Sequence, residues 1–147
     1  MNIELKKASA NDFDFAFEVK KDAMGSHIKS KWGWDEDFQL SIHKQRWAEK
    51  PWFIILFDGE PVGTVSIADL EGQKRFGEFY IKGTFRNNGI GSSVLSQFLQ
   101  ECDQNSNSVV LEYLKWNPVG SLYKRHGFKV TGENEIHYFM ARTPKAH

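Results

Sequence analysis

With 147 residues, 40% of them hydrophobic, the chain is long enough for one domain with a full core and too short for two. Its 19 Lys and Arg balance 19 Asp and Glu, which leaves no net field to hold a nucleic acid or an anionic membrane surface. One cysteine, Cys102, excludes an internal disulfide and a cysteine-rich metal site.

Residues 1–7 lack the long apolar core of a signal peptide, and no later apolar run approaches the ~20 residues of a membrane helix, so a soluble, cytoplasmic protein is expected. Ile3 to Lys7 alternates apolar and charged residues like a half-buried strand. Ser9, three residues before Asp12, resembles a helix-starting box. The helix that follows has Phe13, Ala16, Phe17 and Ala23 or Met24 as its apolar stripe and Gly25 at its expected end.

From Ser30 to Asp37 two large aromatics adjoin three consecutive acids. The acids suit the start of a second helix, which would turn Phe38, Ile42 and Trp47 inward and pack Trp34 at its mouth. A second reading makes Trp32, Trp34 and Asp35 a pocket whose ring faces and carboxylate receive a cationic amine.

Pro51 to Phe57 is a continuous apolar run, as in a strand covered on both faces. Asp58-Gly59 turns the chain, Pro61 to Ile67 alternates as the return strand, Asp69 to Lys74 reads as a polar loop, and Phe76 to Ile81 is the next strand. Arg86-Asn87-Asn88-Gly89-Ile90-Gly91 then leads into a run whose apolar positions, Ile90, Val94, Leu95, Phe98, Leu99 and Cys102, recur at helical spacing. A glycine turn that opens a helix is often only a tight turn, but it also aims several free N–H groups one way, where phosphate binds. Gly89 and Gly91 would let a diphosphate approach the backbone, and Arg86, Asn87 and Asn88 add side-chain donors. A P-loop is excluded because no Lys-Ser/Thr follows the second glycine, and Val94 stands where a dinucleotide fingerprint has its third glycine. Cys102 falls on the apolar face as a core thiol.

Asp103 to Asn107 is a turn cluster, Val109 to Leu114 a largely buried strand, and Val119 to Arg125 a short helix that Gly127 ends. Phe128 to Val130 and Ile136 to Met140 form a closing antiparallel pair, so that one domain spans 1–143 and a disordered tail 144–147. His27, His43, His126, His137 and His147 show no metal-ligand spacing, and His126 reads as the last turn of the short helix.

Arg86-x-x-Gly89-x-Gly91 resembles the acyl-CoA pyrophosphate signature of the GNAT N-acetyltransferase superfamily, Gln/Arg-x-x-Gly-x-Gly/Ala, and like it stands between the fourth strand and the third helix. Asn117 to Phe128 resembles the family's downstream motif, an Asn, a short helix carrying Leu122-Tyr123, then Gly127-Phe128. The resemblance covers nearly the whole chain. It implies an α/β (α+β) GNAT fold, with a mixed, mostly antiparallel central sheet of about six to seven strands, splayed centrally for acyl-CoA, and about four helices on both faces. It also implies acetyl-CoA as acyl-donor co-substrate and no metal. The acceptor would be a small-molecule or peptide/protein amine, attacking directly in a ternary complex. No nucleic acid or membrane partner is implied, while a homodimer is common in the family.

The resemblance further assigns the pyrophosphate to Arg86 and to the N–H groups of Asn88, Gly89, Ile90, Gly91 and Ser92, with Asn87 adding a donor. It assigns the pantetheine arm to the main chain of Phe79, Tyr80 and Ile81 and to Asn117, which could equally cap the short helix. Tyr123 matches the family's acid for the departing thiolate; otherwise it is a tyrosine packed on the short helix. For the general base Glu78 is preferred to Glu112 on the neighbouring strand, although either could be a solvent-facing carboxylate. The loop between the first two helices, which carries Trp34 and Asp35, commonly forms the acceptor wall. Gly120 departs from the family, which more often has alanine there. A competing reading is a non-catalytic acyl-CoA-binding sensor or partner module, against which the retained Tyr123 argues.

Overall fold

The structure, a computed structural model, describes residues 2–86 and 88–146. In chain order its elements are β1 (Ile3–Lys7), a 3-10 turn (Ala10–Asp12), α1 (Phe13–Trp32), α2 (Glu36–Glu49), β2 (Trp52–Phe57), β3 (Glu60–Leu70), β4 (Gln73–Ile81), a second 3-10 turn (Gly83–Phe85), α3 (Ile90–Gln104), β5 (Ser108–Leu114), α4 (Gly120–Arg125), β6 (Lys129–Glu133) and β7 (His137–Arg142). The seven strands are hydrogen-bonded in the order β1-β2-β3-β4-β5-β7-β6. The β1–β2, β2–β3, β5–β7 and β6–β7 pairs are antiparallel and β4–β5 is parallel. This is the mixed, mostly antiparallel sheet with helices that the sequence implied. Among the described residues no helix is long and apolar enough to cross a membrane.

The chain forms two compact units, Met1–Ile67 with Glu78–Ile90, and Ala68–Gly77 with Gly91–His147. In the first, Asp58 and Gly59 take φ of 49° and 85°, the left-handed pair that a two-residue hairpin between twisted strands requires. Gly63 is needed for a close approach, because a Cβ there would stand 3.2 Å from the Cα of Ile81 and collide with the carbonyl of Tyr80.

Helix α1 runs past Gly25, its expected end, and stops at Gly33, whose φ is 80° and whose N–H donates to the carbonyl of Lys29 at 3.0 Å. A glycine inside a helix costs only about 1 kcal/mol. The buried stripe of Ala16, Phe17, Lys20, Met24 and Ile28 continues beyond Gly25 and outweighs that cost.

Helix α2 is also rotated from expectation. Its buried residues are Gln39 and His43, while Phe38 is 59% exposed. The reason is His43, whose ring lies 4.5 Å from Phe13, 5.4 Å from Phe17, 5.7 Å from Trp47 and 5.5 Å from Trp52, centroid to centroid. Its Nε2 bonds to the carbonyl of Phe13 at 3.0 Å, and burial pulls its pKa down. A neutral histidine thus acts as a core aromatic.

In the second unit, the expected loop from Asp69 to Lys74 is mostly strand. β3 extends to Leu70, β4 begins at Gln73, and Glu71-Gly72 alone makes the turn, with Gly72 at φ 72° and an Asp69–Lys74 ion pair across it. The ladder outruns the apolar pattern because strand ends with solvated side chains still pair their backbones. On α3 the six residues Ile90, Val94, Leu95, Phe98, Leu99 and Cys102 are all buried, as the periodicity required.

Asp103, at the end of α3, receives both Nη atoms of Arg142, at 2.8 and 3.0 Å. It also accepts the main-chain N–H of Lys145 at 2.9 Å, so the expected disordered tail is tied down where it starts.

Candidate active site

The glycine turn opens the 15-residue helix α3. Asn88 and Gly89 are exposed and Ile90 is buried, so the turn is anchored from one side only. Gly89 has φ 76°, and a Cβ built there meets nothing within 4 Å. The space above the turn is open, and the backbone conformation favours glycine.

Arg86 has partners of its own. Its Nη2 donates to the carbonyl of Asp22 at 3.1 Å, its Nε donates to the carbonyl of Ile81 at 3.2 Å, and Asp22 also accepts the N–H of Gly83 at 2.6 Å. The guanidinium therefore braces the approach to the turn against α1. Asn87 lies outside the described residues.

Ser92, on the first turn of α3, reaches a residue whose part the sequence reading missed. The Nδ1 of His126 faces the carbonyl of Leu122 at 2.9 Å, and only an N–H can be satisfied there. That leaves Nε2 as the acceptor in the neutral ring, with the hydroxyls of Ser92 and Ser96 donating to it from 3.3 and 3.2 Å. The one-turn spacing of Ser92 and Ser96 on the polar face of α3 was the available signal.

Glu78 has a left-handed backbone, φ 45°, which costs a non-glycine residue about 1–2 kcal/mol. The buried hydroxyl of Thr64 donates to its carbonyl at 3.0 Å and holds it there. Its side chain is 4% exposed. Oε1 receives Arg46 Nη1 at 3.3 Å and Lys50 Nζ at 3.2 Å, whereas Oε2 is buried with no hydrogen-bond partner among the described residues. Burial would raise its pKa, but Arg46, Lys20 and Lys50 together overcome that and hold it below the ordinary glutamate value. Glu112 is exposed.

Of the strand residues expected at the pantetheine arm, Phe79, Tyr80 and Ile81 are half-buried on β4. Asn117 accepts the N–H of Val119 at 3.1 Å through Oδ1, an Asx turn that sets up α4.

Tyr123 is 5% exposed in α4, with ring centroids 5.6 Å from Phe128, 5.8 Å from Tyr113 and 6.3 Å from Phe76. Burial pushes its phenol well above the ordinary value. At neutral pH the hydroxyl keeps its proton and can act as a donor.

In the region expected to recognise a cation, Trp34, Asp35 and Glu36 have internal partners. Asp35 is the N-cap of α2 and accepts the N–H of Phe38 at 3.1 Å. The indole N–H of Trp34 donates to Glu36 at 3.3 Å, and Lys21 lies 5.9 Å from the Trp34 ring centroid while pairing with Glu36 at 2.9 Å. The cation on that ring is the chain's own. Trp32 is 54% exposed. Among the described residues, no three His, Cys, Asp or Glu side chains are grouped to hold a metal.

The family described as acetyltransferase (GNAT) domain matches residues 48–130. Solved structures with the same fold include the PaiA N-acetyltransferase of Thermoplasma acidophilum in complex with coenzyme A, 18% identical with a TM-score of 0.77 over 97% of this chain and 99% of that one. The ribosomal-protein-S18-alanine N-acetyltransferase of Escherichia coli is 13% identical, with a TM-score of 0.71 over 99% and 97%. Ard1 of Thermoplasma volcanium is 21% identical, with a TM-score of 0.69 over 99% of both chains. No curated protein sequence matches the chain significantly.

Proposed function

From a chain that belongs to the GNAT acetyltransferase family, we propose an enzyme that moves the acetyl group of acetyl-CoA to the primary amine of a small molecule, peptide or protein by direct attack in a ternary complex. The observation that carries this reading is the open, left-handed Gly89 at the mouth of α3. There the N–H groups of residues 88–92 can meet a diphosphate with the partial positive charge of a helix N-terminus behind them. In this role Arg86 keeps the turn in place, and the main chain of Phe79 to Ile81, with Asn117, takes the pantetheine arm.

In the reaction the amine nitrogen attacks the thioester carbonyl, a C–N bond forms and the C–S bond breaks. The sulfur leaves as a thiolate with a pKa of about 8.5 if it resembles a free thiol. Tyr123, held as a phenol by its burial, donates a hydrogen bond to that sulfur. A phenol so reluctant to ionise stabilises the thiolate while keeping its own proton, and the thiolate is finally protonated by solvent. The nitrogen becomes acidic as it bonds to carbon, and Glu78, already ionised, accepts its proton directly or through water.

Incubation of acetyl-CoA with a panel of primary amines, followed by free-thiol release, tests the reading. Amine-dependent release is expected. Binding of acetyl-CoA with no release from any amine would identify a CoA-binding module instead.

A further inference from the structure

We infer that the acceptor is a small primary amine that also carries an anionic group, a carboxylate or a phosphorus oxyanion, and that Arg46 and Lys50 bind that group beside Glu78. The inference rests on the acetyltransferase reading and gives it an acceptor class.

The chain is neutral overall but carries a local charge imbalance around Glu78. Three cations, Lys20 from α1, Arg46 from α2 and Lys50 at its C-cap, act on the one carboxylate of Glu78. Lys20 is 5% exposed and cannot turn away to water. Arg46 and Lys50 both reach the same oxygen, Oε1, yet their side chains are 40% and 32% exposed, so both remain accessible to a ligand. A guanidinium and an ammonium together offer eight N–H donors, far more than one carboxylate oxygen can accept.

The same carboxylate has an unmet need of the opposite kind. Among the described residues Oε2 is buried without a donor. A buried carboxylate oxygen left unpaired is costly, so an uncompensated one calls for an explanation. One molecule answers both: its amine donates to Oε2 and its anionic group accepts from Arg46 and Lys50. A diamine meets only the first requirement and brings a second cation towards three already present. The aromatic and acidic segment that would otherwise attract a cation is occupied by Lys21.

The test uses the full-length protein loaded with CoA and titrated by calorimetry with glycine, L-glutamate and aminomethylphosphonate, against glycinamide and putrescine. Thiol release from acetyl-CoA is measured on the same panel. The anion-bearing amines are expected to bind about tenfold or more tightly than glycinamide, the range of a charge-assisted hydrogen bond. Arg46→Gln should remove that preference, read as the ratio of the affinities for glycine and glycinamide in the same variant, and Arg46→Lys should restore part of it. If Arg46→Gln does not fold, judged by its melting transition, Lys50→Gln serves in its place.

Equal or tighter binding of glycinamide or putrescine, no binding by any of the five, or a preference unchanged by both Gln variants overturns the inference. Preferential binding of the acids with no thiol release from any compound supports the ligand site at Arg46 and Lys50 and sinks the transferase reading. Thiol release confined to glycinamide and putrescine does the reverse.

Discussion

Gly120 makes room for the ring of Tyr113: a Cβ at Gly120 would stand 2.8 Å from Cζ of that ring and closer still to its hydroxyl. The departure from the alanine common in the family therefore has a packing cause. Alanine is worth about 1 kcal/mol more than glycine inside a helix, whereas overpacking a filled site costs about 1–3 kcal/mol. Gly120→Ala should thus destabilise the protein by about 1 kcal/mol in urea denaturation. In a Tyr113→Ala background the same change should become neutral or stabilising, and this reversal of sign is the result that checks the argument.

The turn before α3 allows a substitution pair that separates charge from shape. Asn and Asp both tolerate the left-handed conformation of Gly89 and are nearly the same size. Gly89→Asp should weaken CoA binding about 100-fold, while Gly89→Asn should weaken it only a fewfold, as read by equilibrium titration. Equal effects would remove the diphosphate from this turn.

For Tyr123→Phe the expected outcome is a kcat lowered about 10- to 100-fold with the KM for acetyl-CoA little changed, since the hydrogen bond forms only as charge develops on sulfur. An unchanged kcat would exclude the hydroxyl from the reaction.

The Asp103–Arg142 pair should show in acid denaturation. Arg142 holds Asp103 down to about 2 from its ordinary 3.8. A carboxylate with a depressed pKa lends stability that is fully present above the unfolded value and is lost as pH falls from about 3.8 through 2. Asp103→Asn, which leaves the buried Arg142 without its counter-charge, should cost about 3 kcal/mol at neutral pH and flatten the acid limb between those values.

Lys20 carries the opposite sign. Burial lowers its pKa from 10.5 to about 8, so the charged form costs the folded state about 3 kcal/mol at neutral pH. Between pH 8 and 10.5 the unfolded chain holds the extra proton, and stability should rise with pH across that window. The difference between wild type and Lys20→Met in chemical denaturation should change over this interval and be level below it.

Much of this was legible in the sequence wherever one physical rule acted alone. The six apolar positions of α3 predicted their own burial because helical period and hydrophobicity agree there. The two motifs singled out Gly89 and Tyr123, and Gly89 does take a left-handed backbone at the mouth of α3. What escaped was whatever depends on partners distant in sequence. His43 reads as polar, yet four aromatic rings on other elements or turns make it core. Gly25 reads as a stop, yet the burial of Met24 and Ile28 carries the helix through it. Glu78 could be placed on a strand, but its cations lie 28 or more positions earlier in the chain and could not be paired with it.

Glu78 also couples the first two helices to β4, since Arg46 and Lys50 pair with it from one and the buried charge of Lys20 acts on it from the other. Whatever arrives at its idle oxygen competes with those tethers and is felt in the seating of both helices. Changes of taste for one acceptor over another are therefore to be sought on α1 and α2, among side chains that never touch the transferred group.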